Sequence, residues 1–241
     1  MSSGLYSALS GATSRLQLMD TISDNLANLK TSGFKKGINR FESLLEEAKA
    51  GPTATGVNYA RLQEGFSDFG QGTLVKTGVP LHLGIEGEGF FKVRDEGGNI
   101  LYTRQGIMRR DAEGNLLTGS GLQVLDESGK PLNLPGETLT IDERGNATTE
   151  AGVVRIPLFA FESPGQMQRV GSGLFVAASG AQDRLVDEPR LYQGQLEESN
   201  VSMMDETTRM MEALRAFEAC QKMIKTYDTL AAKADEIGSV G

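Results

Sequence analysis

The sequence has few of the residues that make covalent or metal cross-links. It contains one cysteine, one histidine and no tryptophan among 241 residues. A disulfide within the chain is therefore excluded, and a zinc site lacks the Cys and His ligands that it needs. Cys220 lies in a helical pattern, where a free thiol usually behaves as a small apolar side chain. His82 lies in the alternating run 80–83 without a visible partner, which predicts an outward-facing strand residue and not a catalytic base.

Basic residues and long apolar runs are also scarce. The 24 Lys and Arg residues face 32 Asp and Glu residues, and the net charge is −8. A nucleic-acid backbone binds positive surfaces, so we expect no nucleic-acid partner. No run reaches the roughly 18 apolar residues of a membrane span, so we expect no membrane insertion. The first seven residues lack the pattern of a secretory signal peptide, which predicts a cytosolic protein or one exported without a cleaved leader.

Helix-breaking residues are concentrated in the middle of the chain. All seven prolines lie between Pro52 and Pro189, whereas residues 195–237 contain neither Gly nor Pro. Between residues 10 and 30 the only breaker is Gly11. This distribution predicts an α+β fold in which long N- and C-terminal helices pair as a coiled coil around a central, antiparallel β-rich domain.

Both predicted helices carry an apolar stripe. In the first helix the stripe repeats at gaps of three and four, and Gly33 is suited to a left-handed end. The second helix is predicted to begin near Ser199 and Asn200, with Asp205 and Glu206 in its early turns. The apolar area exceeds what one helix pair can bury, so the surplus is expected to contact another chain. The candidate assembly residues are Leu5, Leu9, Leu16, Met19, Ile22, Leu26, Met210, Leu214, Phe217, Ile224 and Tyr227.

Four acidic turns recur in the middle of the chain. Asp95, Asp111, Asp126 and Asp142 each precede a glycine by three residues. Asp opens a turn and Gly supplies positive φ, so the pattern predicts a strand–turn–strand meander. Each turn has too few oxygen ligands for a calcium loop. Residues 84–89 are rich in Gly but lack dinucleotide-loop spacing, so no cofactor or metal is expected.

The remaining segment connects the first helix to the β-rich region. Residues 34–78 are interpreted as a connector with a short helix near 40–49, followed by extended chain. The predicted divisions are an N-terminal helix over 1–33, this connector, a β-rich outer domain over 79–197 and a C-terminal helix over 198–241.

Three motifs resemble the flagellar axial family of rod, hook and hook-associated proteins. They are Asn-Leu-Ala-Asn with Thr-x-Gly-Phe-Lys at 25–35, Gly-x-Gly-Phe-Phe with Tyr-Thr-Arg-x-Gly at 87–106, and Leu-Glu-Glu-Ser-Asn-Val at 196–201. The chain departs from the family at Leu81-His82-Leu83. The motif residues are Asn25, Leu26, Ala27, Asn28, Thr31, Gly33, Phe34, Gly87, Gly89, Phe90, Phe91, Tyr102, Thr103, Arg104, Gly106, Ser199, Asn200 and Val201.

The resemblance implies a structural protein without catalytic residues, cofactor, metal or small-molecule substrate. Its partners would be copies of itself, other rod subunits and the flagellar type III export apparatus, and its location the basal body. The proximal-rod branch of the family is the most similar, with the distal-rod branch close behind. Hook proteins usually carry an extra outer domain for which this chain has no room.

Two further interpretations concern when the terminal helices fold and which other classes of protein the chain could belong to. We hypothesise that the terminal helices order on assembly, because ordering a residue costs about 1–2 kcal/mol and their own burial offsets only part of this. A β-domain binding module dimerised by the helices is the alternative of another class. An enzyme is disfavoured, because no nucleophile–base pairing or metal-ligand spacing is visible.

Overall fold

A computed structural model describes residues 2–46, 57–136, 139–178 and 180–238. It contains two long helices and many antiparallel strands, which confirms the α+β class. The chain divides into two compact units. The first comprises Met1–Leu26, Gly37–Phe66 and Ser202–Gly241, and the second comprises Ala27–Lys36 and Ser67–Val201. In the part of the chain described, no helix is long and apolar enough to cross a bilayer.

Helix α1 (Ser2–Ala27) ends earlier than the sequence predicts. Turns replace the last helical residues, because the Thr31 amide and hydroxyl both bond to Asn28, at 3.1 Å each. Gly33 does have a positive φ of 67°, but it lies beyond these turns and does not cap the helix. The prediction of a helical end at Gly33 was therefore wrong, although its backbone conformation was confirmed.

Helix α2 (Met203–Gly238) begins later than predicted. Ser202 precedes it, and its hydroxyl accepts a bond from the Asp205 amide at 3.4 Å. Ser199 and Asn200 do not cap the helix, because their side chains are engaged with the second unit. Asp205 and Glu206 do lie in the first turn, where negative charge favours the helix N-terminus.

The two helices contact each other in antiparallel order within the first unit. Asn25 bonds Glu206 at 3.1 Å, near the end of α1 and the start of α2. A Cβ atom placed on Gly11 would lie 3.4 Å from the Cys220 sulfur, and one on Gly4 would lie 2.2 Å from the Tyr227 hydroxyl. As the position in α1 rises, its partner position in α2 therefore falls.

The contacts lie along a line of residues that we call the seam. Its positions repeat with alternating gaps of four and three in both helices, and none of them is exposed. Small residues occupy its N-terminal third in α1, so that neighbouring backbones can approach closely. The seam comprises Gly4, Ala8, Gly11, Arg15, Leu18, Ile22 and Asn25 in α1, and Glu206, Met210, Ala213, Phe217, Cys220, Ile224 and Tyr227 in α2.

A two-stranded sheet completes the described part of the first unit. Strands β1 (Gly37–Glu46) and β2 (Val57–Ser67) pair with each other. The short helix predicted near 40–49 is wrong over 40–46, and residues 47–49 lie outside the described chain. A distant strand partner overrides the local helical pattern here. Asn39 further ties β1 to α1 through Thr21, with its amide donating at 2.9 Å.

The second unit contains the remaining strands in five sheets. Seven of them form one sheet in the order β14-β15-β6-β5-β9-β8-β7, and the rest form smaller sheets, β10-β11-β12, β13-β16, β17-β4 and β18-β3. The strands are β3 (Leu74–Lys76), β4 (Leu83–Glu86), β5 (Phe91–Arg94), β6 (Ile100–Thr103), β7 (Met108–Arg110), β8 (Leu116–Thr118), β9 (Gln123–Val124), β10 (Thr140–Ile141), β11 (Asn146–Thr149), β12 (Gly152–Arg155), β13 (Phe159–Ala160), β14 (Gln168–Gly171), β15 (Leu174–Val176), β16 (Arg184–Leu185), β17 (Arg190–Gln193) and β18 (Gln195–Glu197). A short 3-10 helix spans Pro164–Gln166.

The four acidic turns are confirmed, but the simple meander is not. Gly98, Gly114, Gly129 and Gly145 all have positive φ between 77° and 86°. The turns join β5 to β6, β7 to β8 and β10 to β11 as hairpins. However, β9 pairs with both β5 and β8, and so separates the first two hairpins within the sheet. Sequence spacing predicts the hairpins and carries no information about this insertion.

Two apolar clusters fill the second unit. The larger one contains residues of many strands, including the fully buried Leu83, Ile85 and Phe91. The smaller one is aromatic and contains Phe90, Tyr102 and Phe175. Consecutive residues Phe90 and Phe91 therefore enter different clusters, as side chains of extended backbone alternate between faces.

Candidate assembly site

Residues of all three family motifs meet in the second unit. Lys35 and Arg104 belong to the first and central motifs, and Glu197 lies two residues before Ser199 of the last motif. We call Lys35, Arg104 and Glu197 the ion cluster. Lys35 Nζ lies 2.6 Å from Glu197 Oε1, and Arg104 Nη1 lies 3.2 Å from each oxygen of the same carboxylate. The Lys35 and Glu197 side chains are 0% exposed and that of Arg104 is 3% exposed.

Backbone groups complete the hydrogen bonding of the ion cluster. Lys35 donates to the Gly70 carbonyl at 2.7 Å, and Arg104 donates to the carbonyls of Gly87 and Gly89. Glu197 accepts a bond from the Gly72 amide at 2.8 Å. A buried charge needs such partners to offset the water that it loses.

The ion cluster holds two cations and one carboxylate. Burial lowers the pKa of Lys35 below its ordinary value of 10.5, and the nearby Arg104 guanidinium lowers it further. Attraction to Glu197 opposes both effects without overcoming them. Burial also lowers the pKa of Arg104. Glu197 is thus the carboxylate on which both buried cations depend.

Close backbone approach explains the glycine at position 33. A Cβ atom there would lie 2.3 Å from both the carbonyl carbon and oxygen of Arg104. The Gly33 amide also donates to the Glu197 carbonyl at 2.7 Å. With its positive φ, this position favours glycine for both space and backbone conformation.

Asn200 and Phe34 make further contacts with chain segments next to the ion cluster. The Asn200 side chain accepts from the Lys36 amide at 2.7 Å and donates to the Asp68 carbonyl at 2.8 Å. The Arg169 guanidinium lies 4.5 Å from the ring centre of Phe34 and donates to the Lys35 carbonyl. The motif residues here therefore connect chain segments and present no reactive group to solvent.

The central motif is structural as well. Thr103 donates to the Gly173 carbonyl at 2.7 Å, and a Cβ atom on Gly106 would lie 1.9 Å from the Leu83 carbonyl oxygen. The Tyr102 hydroxyl donates to Asp183 at 3.0 Å. Burial, and then the Asp183 carboxylate, raise the pKa of Tyr102.

In the first unit, Asn25 of the family motif forms a buried polar contact. Its side-chain amide donates to Glu206 at 3.1 Å and to the Gly37 carbonyl at 3.0 Å. Its side-chain oxygen accepts from the Gly37 amide at 2.8 Å. Arg209 binds the other oxygen of Glu206 at 2.9 Å. Asn25 therefore joins α1, α2 and the start of β1.

The candidate assembly residues fall into two groups. Ile22, Met210, Phe217, Ile224 and Tyr227 lie in the seam between α1 and α2. Outside the seam, Leu5, Met19 and Leu26 are partly buried, whereas Leu9, Leu16 and Leu214 are 54%, 46% and 45% exposed. Their role in assembly stays a prediction, but the structure separates residues that the sequence groups together.

The candidate assembly residues left out several exposed apolar side chains and the small residues of the seam. Tyr6, Met203, Met204 and Met211 are all at least half exposed. The signal for the seam was the four–three spacing of Gly4, Ala8 and Gly11, which is weak because these residues are hardly apolar. Within the described chain, no group of three or more His, Cys, Asp or Glu side chains could hold a metal ion.

Three segments of the chain match known protein families. Residues 5–35 match the family described as "Flagella basal body rod protein". Residues 84–153 match "Flagellar hook protein FlgE/F/G D1 domain", and residues 192–237 match "Flagellar basal body rod FlgEFG protein C-terminal". These segments contain the three motifs in the same order.

Full-length relatives agree with the segment matches. The flagellar basal-body rod protein FlgG of Borreliella burgdorferi is 32% identical over 267 residues, covering 98% of this chain and 99% of the relative. The FlgF protein of Caulobacter vibrioides is 30% identical over 242 residues, covering 98% of each. The FlgG protein of Bacillus subtilis is 32% identical over 255 residues, covering 94% of this chain and 95% of the relative. The chain therefore belongs to the flagellar basal-body rod protein family of FlgF and FlgG, and it is a structural subunit of the rod.

Proposed function

We propose that this chain is a proximal-rod subunit of the FlgF branch, which assembles through its terminal helices into the axial shaft that transmits torque. Its length supports this branch. The alignment with the FlgF relative covers 98% of both chains in 242 positions, whereas the FlgG relative needs 267 positions for the same share of this chain. A distal-rod or hook-type subunit is the alternative, and the comparisons do not favour a binding module.

The helix pair is proposed to be a coiled coil. Alternating gaps of four and three along both sides of the seam are the spacing of coiled-coil contacts. In this proposal α1 and α2 form the axial part, and the predicted β-rich region 79–197 forms the outer part. The flagellar export apparatus would deliver the chain to the basal body, and no catalytic reaction is assigned to it.

A second apolar surface lies beside the seam and carries the assembly proposal. We call Leu9, Leu16, Met211 and Leu214 the apolar flank; each is between 45% and 54% exposed. Successive residues of a helix are rotated by about 100° around its axis. On this measure the four side chains lie roughly a quarter to two fifths of a turn around the axis from the seam, and the direction of rotation, viewed from each helix's own N-terminus, is the same in α1 and α2. Because the helices are antiparallel, equal senses place these side chains on one face of the pair.

The proposed occupant of the apolar flank is another rod subunit. Small residues in the seam bring the helices together and leave the larger Leu and Met side chains outside. Fully burying one such side chain contributes about 1.5–3 kcal/mol. The flank can therefore supply several kcal/mol to an intersubunit contact while the seam holds the pair together.

Substitutions in α2 test the proposal. Leu214→Asp places a charge in the flank, so we expect loss of swimming and absence of the protein from purified basal bodies. The second unit should keep its unfolding transition, because Leu214 contributes nothing to its core. The assay is motility and basal-body composition in a deletion strain that expresses each variant.

Ala219→Asp is the matched control, since Ala219 is exposed on the same helix but faces away from the flank. It should retain swimming. If Leu214→Asp assembles normally, or if both variants fail equally, the flank is not the assembly surface. Ile224→Asp is less informative, because Ile224 belongs to the seam and its change would also disturb the helix pair.

A further inference from the structure

The last part of the second unit supplies strand partners to segments far earlier in the chain. Strand β17 pairs with β4, and β18 pairs with β3. In the described sheets, β3 and β4 have no other strand partner. Residues 74–86 therefore complete their backbone hydrogen bonding only when residues 190–197 are in place.

The same segment completes the larger apolar cluster. Leu83 and Ile85 of β4 are 0% exposed, and Leu191 of β17, which is paired with Ile85, is 1% exposed. A Cβ atom on Gly106, between β6 and β7, would lie 3.2 Å from Leu196 of β18. Without the last segment, this side of the core would face water.

The buried charges of the ion cluster make the second unit depend still more on residues 190–197. Lys35 and Arg104 come from distant parts of the chain, and both bind the carboxylate of Glu197. Two buried cations without this carboxylate would be uncompensated, which is strongly unfavourable. The backbone next to Glu197 adds direct links to earlier residues, since its carbonyl accepts from Gly33 and the Glu198 amide donates to the Thr73 carbonyl.

We infer that residues 190–201 are a closing segment: the second unit becomes fixed only after they dock, and Glu197 couples docking to the burial of Lys35 and Arg104. Until then, residues 27–36 and 74–89 remain hydrated and open. A chain supplied from its N-terminus, by a ribosome or through an export channel, therefore carries an open second unit until this segment is available. The inference rests on the contacts within the unit and is independent of the proposed position in the rod.

Pulse-labelling hydrogen exchange during refolding of the full chain tests the order of closure. We expect the amides of Gly33, Gly72, Gly84 and Glu86 to gain protection in the same kinetic phase as residues 190–197. In the folded unit the Gly33 and Gly72 amides donate to Glu197, and Gly84 and Glu86 lie opposite Tyr192 and Arg190 of the closing segment. Protection of Gly84 and Glu86 in an earlier phase than residues 190–197 would overturn the inference.

The substitution Glu197→Gln keeps the shape of the side chain and removes its negative charge. We expect native-state exchange at Gly33 and Gly72 to accelerate on the order of tenfold or more. Glu198→Gln is the matched control, because Glu198 is exposed and should leave exchange unchanged. Adding Lys35→Met to Glu197→Gln should restore part of the protection, since it removes one uncompensated cation.

These outcomes distinguish the proposed coupling, between docking of the closing segment and burial of the cations, from a general loss of stability in the variant. If Glu197→Gln does not fold alone, recovery of a folded unit in the double variant supports the inference, and failure of that recovery contradicts it. Equal exchange in the Glu197→Gln and Glu198→Gln variants also contradicts it. None of these measurements depends on motility, so they can fail while the assembly proposal stands.

Discussion

The carboxylate of Asp95 stabilises the turn that it opens. One oxygen accepts from the Asn99 backbone amide, and the other accepts from the Asn99 side chain, at 2.8 Å each. The side-chain bond, and then the backbone bond, lower the pKa of Asp95 below its ordinary value of 3.8. Asp111 and Asp142 make the same pair of contacts with Asn115 and Asn146.

Asn99→Ala removes the side-chain bond and should raise the pKa of Asp95 toward 3.8. A lowered carboxyl pKa stabilises the folded state above the ordinary value, and this contribution is lost as the pH falls through the lowered value. The stability difference between the original chain and the variant should therefore vanish in acid. Carbon-13 titration of Asp95 checks the pKa, with Asp111 as an internal control that should not move. An unchanged Asp95 titration would contradict this explanation.

Single-residue predictions succeeded where the partner is close in sequence. Asp95 and Gly98 form their turn with immediate neighbours, so residue type alone predicted their roles. Lys35 and Glu197 are 162 residues apart, and nothing local in either segment indicates the other. The family resemblance marked neighbouring residues as a motif without explaining the buried charges.

The seam shows how small side chains position two elements. A Cβ atom on Gly11 would lie 3.4 Å from the Cys220 sulfur. A cysteine at position 11 would carry its own sulfur one bond beyond that Cβ atom, within reach of the Cys220 sulfur for a disulfide bond of about 2.05 Å. The natural chain thus carries one half of a cross-link that can test the antiparallel pairing.

Gly11→Cys should form a disulfide with Cys220 under mild oxidation, because the helix pairing holds the two positions together. The product can be measured by mass spectrometry and by its mobility on non-reducing gels. Thr13→Cys is the control, since Thr13 is exposed and lies off the seam. Equal cross-linking of the two variants would mean that the helices are not held in this register.

The sequence predicted that both terminal segments are helices, but it predicted the ends of these helices less well. The scarcity of Gly and Pro in the terminal segments predicted both helices, because these residues disfavour helix interiors. Their ends were misplaced, since the Asn28–Thr31 turns and the Ser202 cap compete with equally plausible signals nearby. The apolar stripe identified exposed Leu9 and Leu16, whereas the actual contact uses Gly4, Ala8 and Gly11.

The two units differ in how they are stabilised within one molecule. The second unit has two apolar clusters and a buried ion cluster, whereas the N-terminal third of the seam buries mainly glycine and alanine on the α1 side. Little apolar area is removed from water by such residues, so this part of the helix pair gains little from its own contacts. This difference supports the hypothesis that the helices order on assembly.

Hydrogen exchange of the free chain at micromolar concentration should therefore differ between units. Residues 2–27 and 203–238 are expected to exchange quickly, while the β5 and β6 amides of the second unit should exchange slowly, because local opening is easier where few apolar contacts are lost. The measurement is exchange followed by mass spectrometry at several chain concentrations. Slow exchange throughout both helices in the monomer would contradict ordering on assembly.

The helix pair also has a consequence for how relatives vary. Gly4 leaves space that the Tyr227 ring occupies, since a Cβ atom at position 4 would lie 2.7 Å from a carbon of that ring. A mutation that enlarges residue 4 should be accepted most readily where residue 227 has become smaller. Aligned rod proteins should thus show correlated substitution at these two sites, giving an evolutionary record of the same helix register.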